Sequence, residues 1–358
     1  MTRYGFCMVP FEPHGWIQPL PTVASWRAAK AIGLTDCRLQ FDVSIASPSI
    51  GVWRTNLFES FFNPLVDAMS RVNINYCISQ ELPHMDQHFH EEAAAWIALH
   101  YGHVADSFSF GNEPGPLADA YEAEHPGSDY MRDVYFPRYV IPFTRGIRRV
   151  KPDAWIGGCD ADSADIQRKY ISTANHLMLA ASDLICSEEF IHSYGDTGGG
   201  NYATLTAFAA ARDSLGESTR RPWGISEIDH QQLPSARLRA EHTTFVFEAN
   251  GASKSEAALQ GALARLQPTE PESRAMLDYA RKIRSEAPEC TRLYFGSVEY
   301  FFERGVRPDN GLPCSSFYLP EPKLSKVGQE FGAEFGEKGG PVAPQPKKVA
   351  GRTTGRRP

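Results

Sequence analysis

The sequence predicts an α/β chain folded as a single-domain (β/α)8 barrel, and three observations carry that prediction. Eight short, apolar, strand-like runs follow one another along the chain. Seven helix-like stretches of adequate length separate them. The glycine-rich phosphate turn that an open, doubly wound sheet places after an early strand is absent. Continuous apolar strands joined by helical crossovers imply a parallel sheet covered on its outer face, and eight such units within about 300 residues fit a closed barrel.

In order, "RYGFCMVPF" (3–11) reads as the first strand, with a helix near 21–32. "DCRLQFDV" (36–43) precedes a helix near 58–71, and "NINYCIS" (73–79) one near 88–102. "DSFSFG" (106–111) precedes a helix near 129–150, and "AWIGGC" (154–159) one near 163–181. "DLICSEEFIHSYG" (183–195) precedes a helix near 201–216, "PWGISEID" (222–229) helices within 254–287, and "TRLYFGSVEYF" (291–301) is the eighth strand. "GDTGGGN" (195–201), the one glycine cluster, lacks a Lys-Ser/Thr and reads as a barrel loop. The segment 230–253 reads as an irregular insertion. The barrel is expected over 1–336 and a basic, Pro/Gly-rich disordered tail over 337–358.

Composition narrows the function. With 358 residues, 42% hydrophobic and 11% aromatic, the chain can bury a sizeable core. A formal charge of -7 argues against nucleic acid as the main partner. The last stretch, "KKVAGRTTGRRP", holds five basic residues and no acidic one, which leaves about -12 for the rest. No run of 18 apolar residues occurs and no leader is evident, so the expectation is a cytoplasmic protein that engages no membrane. Leaderless secretion and removal of a leader are the alternatives. Cysteines 7, 37, 77, 159, 186, 290 and 314 form no C-x-x-C pair, and the first five lie in or beside apolar runs, as buried thiols of a reduced compartment do.

In a parallel barrel the C-terminal strand ends meet on one face, so position on the strand becomes the filter. That filter selects Arg38 on the second strand, Asn112 and Glu113 on the fourth, His192 and Tyr194 on the sixth, and Glu227 with Asp229 on the seventh. Glu113 and Glu227 each end an apolar strand, which is costly unless the carboxyl is paired or solvated in a cleft. Across such a barrel two carboxyls can approach to about 5 Å, the separation that glycosidic cleavage with retention requires. Pro114 then ends the strand and stiffens the turn beyond it.

"GNEP" closing a fourth strand, "HSY" on a sixth and "ISE" on a seventh resemble the clan A glycoside hydrolases, the retaining TIM-barrel enzymes, and family five of that clan in particular. The resemblance spans about residues 3–331, including the late "KLSKVGQEF" helix. It implies that Glu113 is the acid/base and Glu227 the nucleophile. It further implies that Asn112 bonds the sugar 2-hydroxyl, Tyr194 holds an oxygen of the nucleophile, Arg38 keeps Glu227 ionised and His192 lines the pocket. Where that family usually places a tryptophan at the end of strand eight, "GSVEYFFER" offers Glu299 and Tyr300, the latter able to stack on a sugar, and His84 sits late for the histidine expected near strand three.

Rival readings stand beside these. Asp229 competes with Glu227, and Arg38 could pair with Asp42 instead. Trp16, Trp53 and Trp223 read singly as packing residues, although Trp16 and Trp53 fall in loops on the catalytic face, where Trp53 is a candidate sugar contact. "HMDQHFHEE" (84–92) looks metal-like but opens a helix and reads as a solvated helix start. The expectation is a retaining hydrolase of a β-linked oligo- or polysaccharide, working by double displacement without cofactor or metal. The alternatives are a carbohydrate-binding barrel without turnover and a metal-dependent hydrolase using His84, His88 and His90. Oligomeric state is not legible in the sequence.

Overall fold

The computed structural model describes residues 2–8, 20–42, 62–81, 87–110, 114–161, 169, 188–192, 222–228, 267–309, 311 and 313–336. At 40–42, 76–81, 87–89, 159–161, 188–192, 227 and 313 the description is of the backbone. The expected helices near 163–181 and 201–216, the insertion 230–253 and the basic tail lie outside the described residues, except for Lys169, which is helical.

The eight expected strands form one parallel sheet: β1 (Arg3–Met8), β2 (Leu34–Asp42), β3 (Asn75–Glu81), β4 (Ser107–Phe110), β5 (Ile156–Ala161), β6 (Glu188–His192), β7 (Trp223–Ile228) and β8 (Cys290–Phe295). Each strand pairs with the next, and β8 pairs with β1 through Arg3 with Arg292 and Phe6 with Phe295, which closes the barrel. Closure leaves the barrel itself without an edge strand. Around it lie α1 (Val23–Ala31), α2 (Asn63–Ser70), α3 (Gln87–Tyr101), α4 (Gly115–Glu124), α5 (Ile141–Val150), α6 (Glu270–Glu286) and α7 (Lys326–Phe335). α1 and α6 start on capping boxes, Thr22 with Ser25 and Thr269 with Glu272, which satisfy amides that the first turn leaves bare.

Alternation along the strands sorts the side chains into two faces. Outward, Phe6 stacks on Trp26 of α1 at 5.4 Å. Tyr4 meets Phe331 and Phe335 of α7, and Phe110 meets Phe143 of α5. Such aromatic pairs add to the area-proportional burial that holds helices to the sheet. Ion pairs from α6 to α7, Arg274 to Glu330 at 2.8 Å and Arg281 to Glu334 at 2.8 Å, lie at the surface where solvent screens them, so the apolar contacts of Phe331 dominate that docking.

α3 and α5 pack closely because both present small residues. A Cβ on Gly146 would overlap the Glu91 carbonyl oxygen and crowd the Ala94 side chain. Gly146→Ala is expected to push the two helices apart and cost about 1–2 kcal/mol net, overpacking outweighing the roughly 1 kcal/mol gain in helix propensity. A thermal melt checks this; an unchanged or raised Tm would contradict it.

Inward, the N-terminal end of the barrel is plugged by an ion network rather than by aliphatic layers. Arg3 reaches Asp36 at 3.1 Å and Asp106 at 2.8 Å. Arg292 reaches Asp106 at 3.0 Å and donates to Ser107 Oγ at 2.6 Å. β1, β4 and β8 are not all neighbours in the sheet, so these contacts run through the interior. Burial raises the pKa of Asp36, and the charges of Arg3 and Arg292 offset this only in part. Burial would raise Asp106 as well, but the hydrogen bond from Arg3 and the charges of both arginines outweigh it and hold that carboxyl below its ordinary value.

Three expectations change. The helix expected over 129–150 is preceded by α4, which opens at Pro114, and its first part, Met131–Val140, has wide turns in which the Ile141 amide donates to the Phe136 carbonyl. The eighth strand stops at Phe295 instead of running to 301. The Ser297 hydroxyl accepts from the Glu299 amide and starts a 3-10 turn over Val298–Tyr300. Beyond it an antiparallel pair forms between β9 (Arg304–Val306) and β10 (Pro313–Ser315), which apolar patterning over three-residue strands could not signal.

Candidate active site

The C-terminal strand ends lie opposite the ion network. His192 is the last residue of β6, and its Cα partner on β7 is Glu227, one residue before that strand ends. Two residues singled out 35 positions apart in the chain are therefore neighbours in register at the barrel mouth. β4 ends at Phe110 and α4 opens at Pro114, so described residues bracket the Asn112-Glu113 pair. Asn112, Glu113, Tyr194, Asp229, Trp16, Trp53 and His84 lie outside the described residues, as do the side chains of His192, Glu227, Asp42 and His88.

Arg38 sits in the middle of β2, Cα-paired with Cys7 of β1 and Cys77 of β3. Its side chain is 0% exposed. Its Nη1 lies 3.8 Å from Cys7 Sγ, and Cys7 Sγ donates to the Ser226 carbonyl at 3.1 Å. β8 stands between β1 and β7, so the thiol spans the barrel interior to reach the peptide that joins Ser226 to Glu227. Tyr294 of β8 packs against Cys7 from the same interior. A cation enclosed this fully is retained only with anionic or hydrogen-bonding compensation, which makes Arg38 an electrostatic feature of the barrel interior.

Tyr300 belongs to the 3-10 turn after β8 and is 0% exposed, with its ring 6.3 Å from that of Phe301. An enclosed ring offers no open stacking face, so the sugar-platform expectation gains no support there. Trp223 is buried at the start of β7, in keeping with a packing role. His90 is 0% exposed and meets Tyr139 edge-on at 5.0 Å, so it belongs to the interface of α3 with the wide-turned helix and not to a solvated helix start. Among the described residues no group of three His, Cys, Asp or Glu could hold a metal ion. Among them, too, no helix is long and apolar enough to cross a membrane.

Sequence reasoning placed His192 and Glu227 at strand ends, expected Arg38 at an end where the structure has it in mid-strand, because β2 runs on to Asp42, and missed Cys7. A cysteine in an apolar run reads as core packing, and only the barrel's closure shows that this one faces Arg38 and Ser226.

No protein-family model matches the chain, and no curated protein matches it significantly. Solved structures do. A glucosidase from Croceicoccus marinus matches with a TM-score of 0.54 at 14% identity, covering 82% of this chain and 60% of that one. A hyperthermophilic β-glucosidase from Pyrococcus furiosus matches with a TM-score of 0.50 at 9% identity, over 93% of this chain and 94% of that one. A β-glucosidase from Exiguobacterium marinum gives 0.50 at 11% identity, over 93% and 97%. The chain thus spans about three fifths of the Croceicoccus protein and nearly the full length of the other two. At such identities the likeness is one of fold: this chain is a (β/α)8 barrel of the kind these glucosidases have.

Proposed function

We propose that the chain is a retaining glycoside hydrolase acting on a β-linked oligo- or polysaccharide, with Glu113 as acid/base and Glu227 as nucleophile. The observation that carries the reading is the register of the closed barrel, which sets Glu227 beside His192 at the C-terminal end of the sheet. The buried Arg38 supports it, because its Nη1 lies 3.8 Å from the Cys7 sulfur that bonds the Ser226 carbonyl next to Glu227, and a cation near that strand favours an ionised carboxylate. The motif "GNEP", between Phe110 and Pro114, supplies the second carboxyl. The solved neighbours are described as glucosidases, which makes aryl β-glucosides the first substrates to try.

In this mechanism Glu113 protonates the glycosidic oxygen while the Glu227 carboxylate attacks the anomeric carbon, giving a glycosyl-enzyme and a free leaving group. Glu113, now a carboxylate, takes a proton from water, which displaces Glu227 and restores the first configuration. Asn112 bonds the 2-hydroxyl, a contact that strengthens in the transition state, and Tyr194 and Arg38 hold the nucleophile's oxygens. Trp53 and His192 supply walls for the sugar. No step calls for a metal or an organic cofactor.

A 2-deoxy-2-fluoro β-glucoside with an activated leaving group tests the assignment. The expected result is a stable adduct on the peptide containing Glu227, found by mass spectrometry, together with β-configured first product by NMR on the unmodified substrate. Labelling of Asp229 instead, or an α-configured first product, would refute it.

A further inference from the structure

We propose that Cys7 is a positioning residue on the floor of this site, holding the Glu227-bearing peptide and the Arg38 guanidinium in one geometry. The inference rests on the glycosidase reading and deepens it. Three observations meet at one sulfur. Cys7 and Arg38 are Cα partners in adjacent parallel strands, so both project to the interior side by side. The Cys7 thiol donates to the Ser226 carbonyl at 3.1 Å, and Arg38 Nη1 donates toward the sulfur at 3.8 Å. Arg38 is fully enclosed while Cys7 is only partly buried.

A thiol is a weak donor, so this contact contributes little to folding. Its consequence is geometric. The Ser226 carbonyl belongs to the peptide unit that leads into Glu227, and a displacement of about 1 Å at a reacting group can cost on the order of 10²-fold in rate. A sulfur linked to both the backbone of the nucleophile and its proposed counter-ion restrains the two together. Serine in its place keeps a donor and an acceptor at nearly the same point, whereas alanine removes both.

The test uses the full chain and an aryl β-glucoside. Cys7→Ala is expected to lower kcat about 10-fold with KM within about 2-fold, and Cys7→Ser to restore kcat to within about 3-fold of wild type. Methyl methanethiosulfonate, which caps a thiolate as the S-methyl disulfide and releases methanesulfinate, provides a second readout that needs no altered fold. Labelling of Cys7, located by mass spectrometry, is expected to lower wild-type kcat, a thiol reductant to restore it, and Cys7→Ser to resist the loss. A Cys7→Ala enzyme as fast as wild type, or a Cys7-labelled enzyme with full kcat, overturns the proposal while leaving the glycosidase reading intact. A wild type that turns over no β-glycoside overturns that reading and this proposal with it; the fluoroglycoside adduct, absent in that case, separates the two failures.

Discussion

Glu227→Ala is expected to lower kcat roughly 10⁴-fold or more, about 5.5 kcal/mol of transition-state stabilisation, with protein that melts as the wild type does. Added azide is expected to attack the anomeric carbon of an activated β-glucoside directly and to give the inverted α-glycosyl azide. Glu113→Ala is expected to behave differently. Its loss of about 10²–10⁴-fold applies to substrates whose leaving group needs a proton, and shrinks with a leaving group that departs unaided. Azide then intercepts the glycosyl-enzyme and yields the retained β-glycosyl azide. The two anomers, read by NMR, assign the roles separately. Two alanine variants as active as wild type would remove this pair from the mechanism.

Asp106→Asn carries the largest expected effect on stability. Asp106 lies between Arg3 and Arg292 at the barrel floor, so its loss leaves the buried Arg292 and the half-buried Arg3 without their shared carboxylate. Removing one member of a buried pair costs about 3–5 kcal/mol. Asp106 is 30% exposed, which screens part of that and leaves about 2–3 kcal/mol, or a Tm lowered by roughly 3–4 °C in a chain of this length. The pH dependence follows from the direction of the shift. Because the folded carboxyl titrates below its ordinary value, its contribution is present above the unfolded aspartate pKa and is lost as pH falls through the folded one. The gap between wild type and Asp106→Asn is therefore expected to be full at pH 7 and to close in strong acid. Asp36 has the opposite sign, since its folded pKa is raised and any contribution it makes is lost as pH rises. Asp36→Asn is accordingly expected to cost less than Asp106→Asn at pH 7, and equal losses from thermal melts would refute this account of the floor.

The fold was legible because its signals are local. Apolar runs such as "SFSF" and "CTRLYF", punctuated by Gly, Pro and polar clusters, are read from a window of a few residues, and all eight strands lie where those windows put them. Of the mouth residues, His192 and Glu227 were legible one step further on, through the rule that parallel strand ends converge, and their Cα pairing is that rule at work. The end of strand eight was not, because the strand-like alternation of Val298 and Tyr300 about Glu299 continues the pattern while a single serine hydroxyl turns the backbone. The ion network and the Cys7 bridge were hidden for a different reason. Arg3 and Asp106 lie 103 residues apart, and Cys7 and Ser226 219 apart. The sequence by itself determined the period, order and direction of the elements, since each depends on neighbours along the chain. Only the tertiary structure decided which inward residues share a layer, because that depends on the stagger with which eight strands close, and a one-residue slip would turn every one of them to the opposite face.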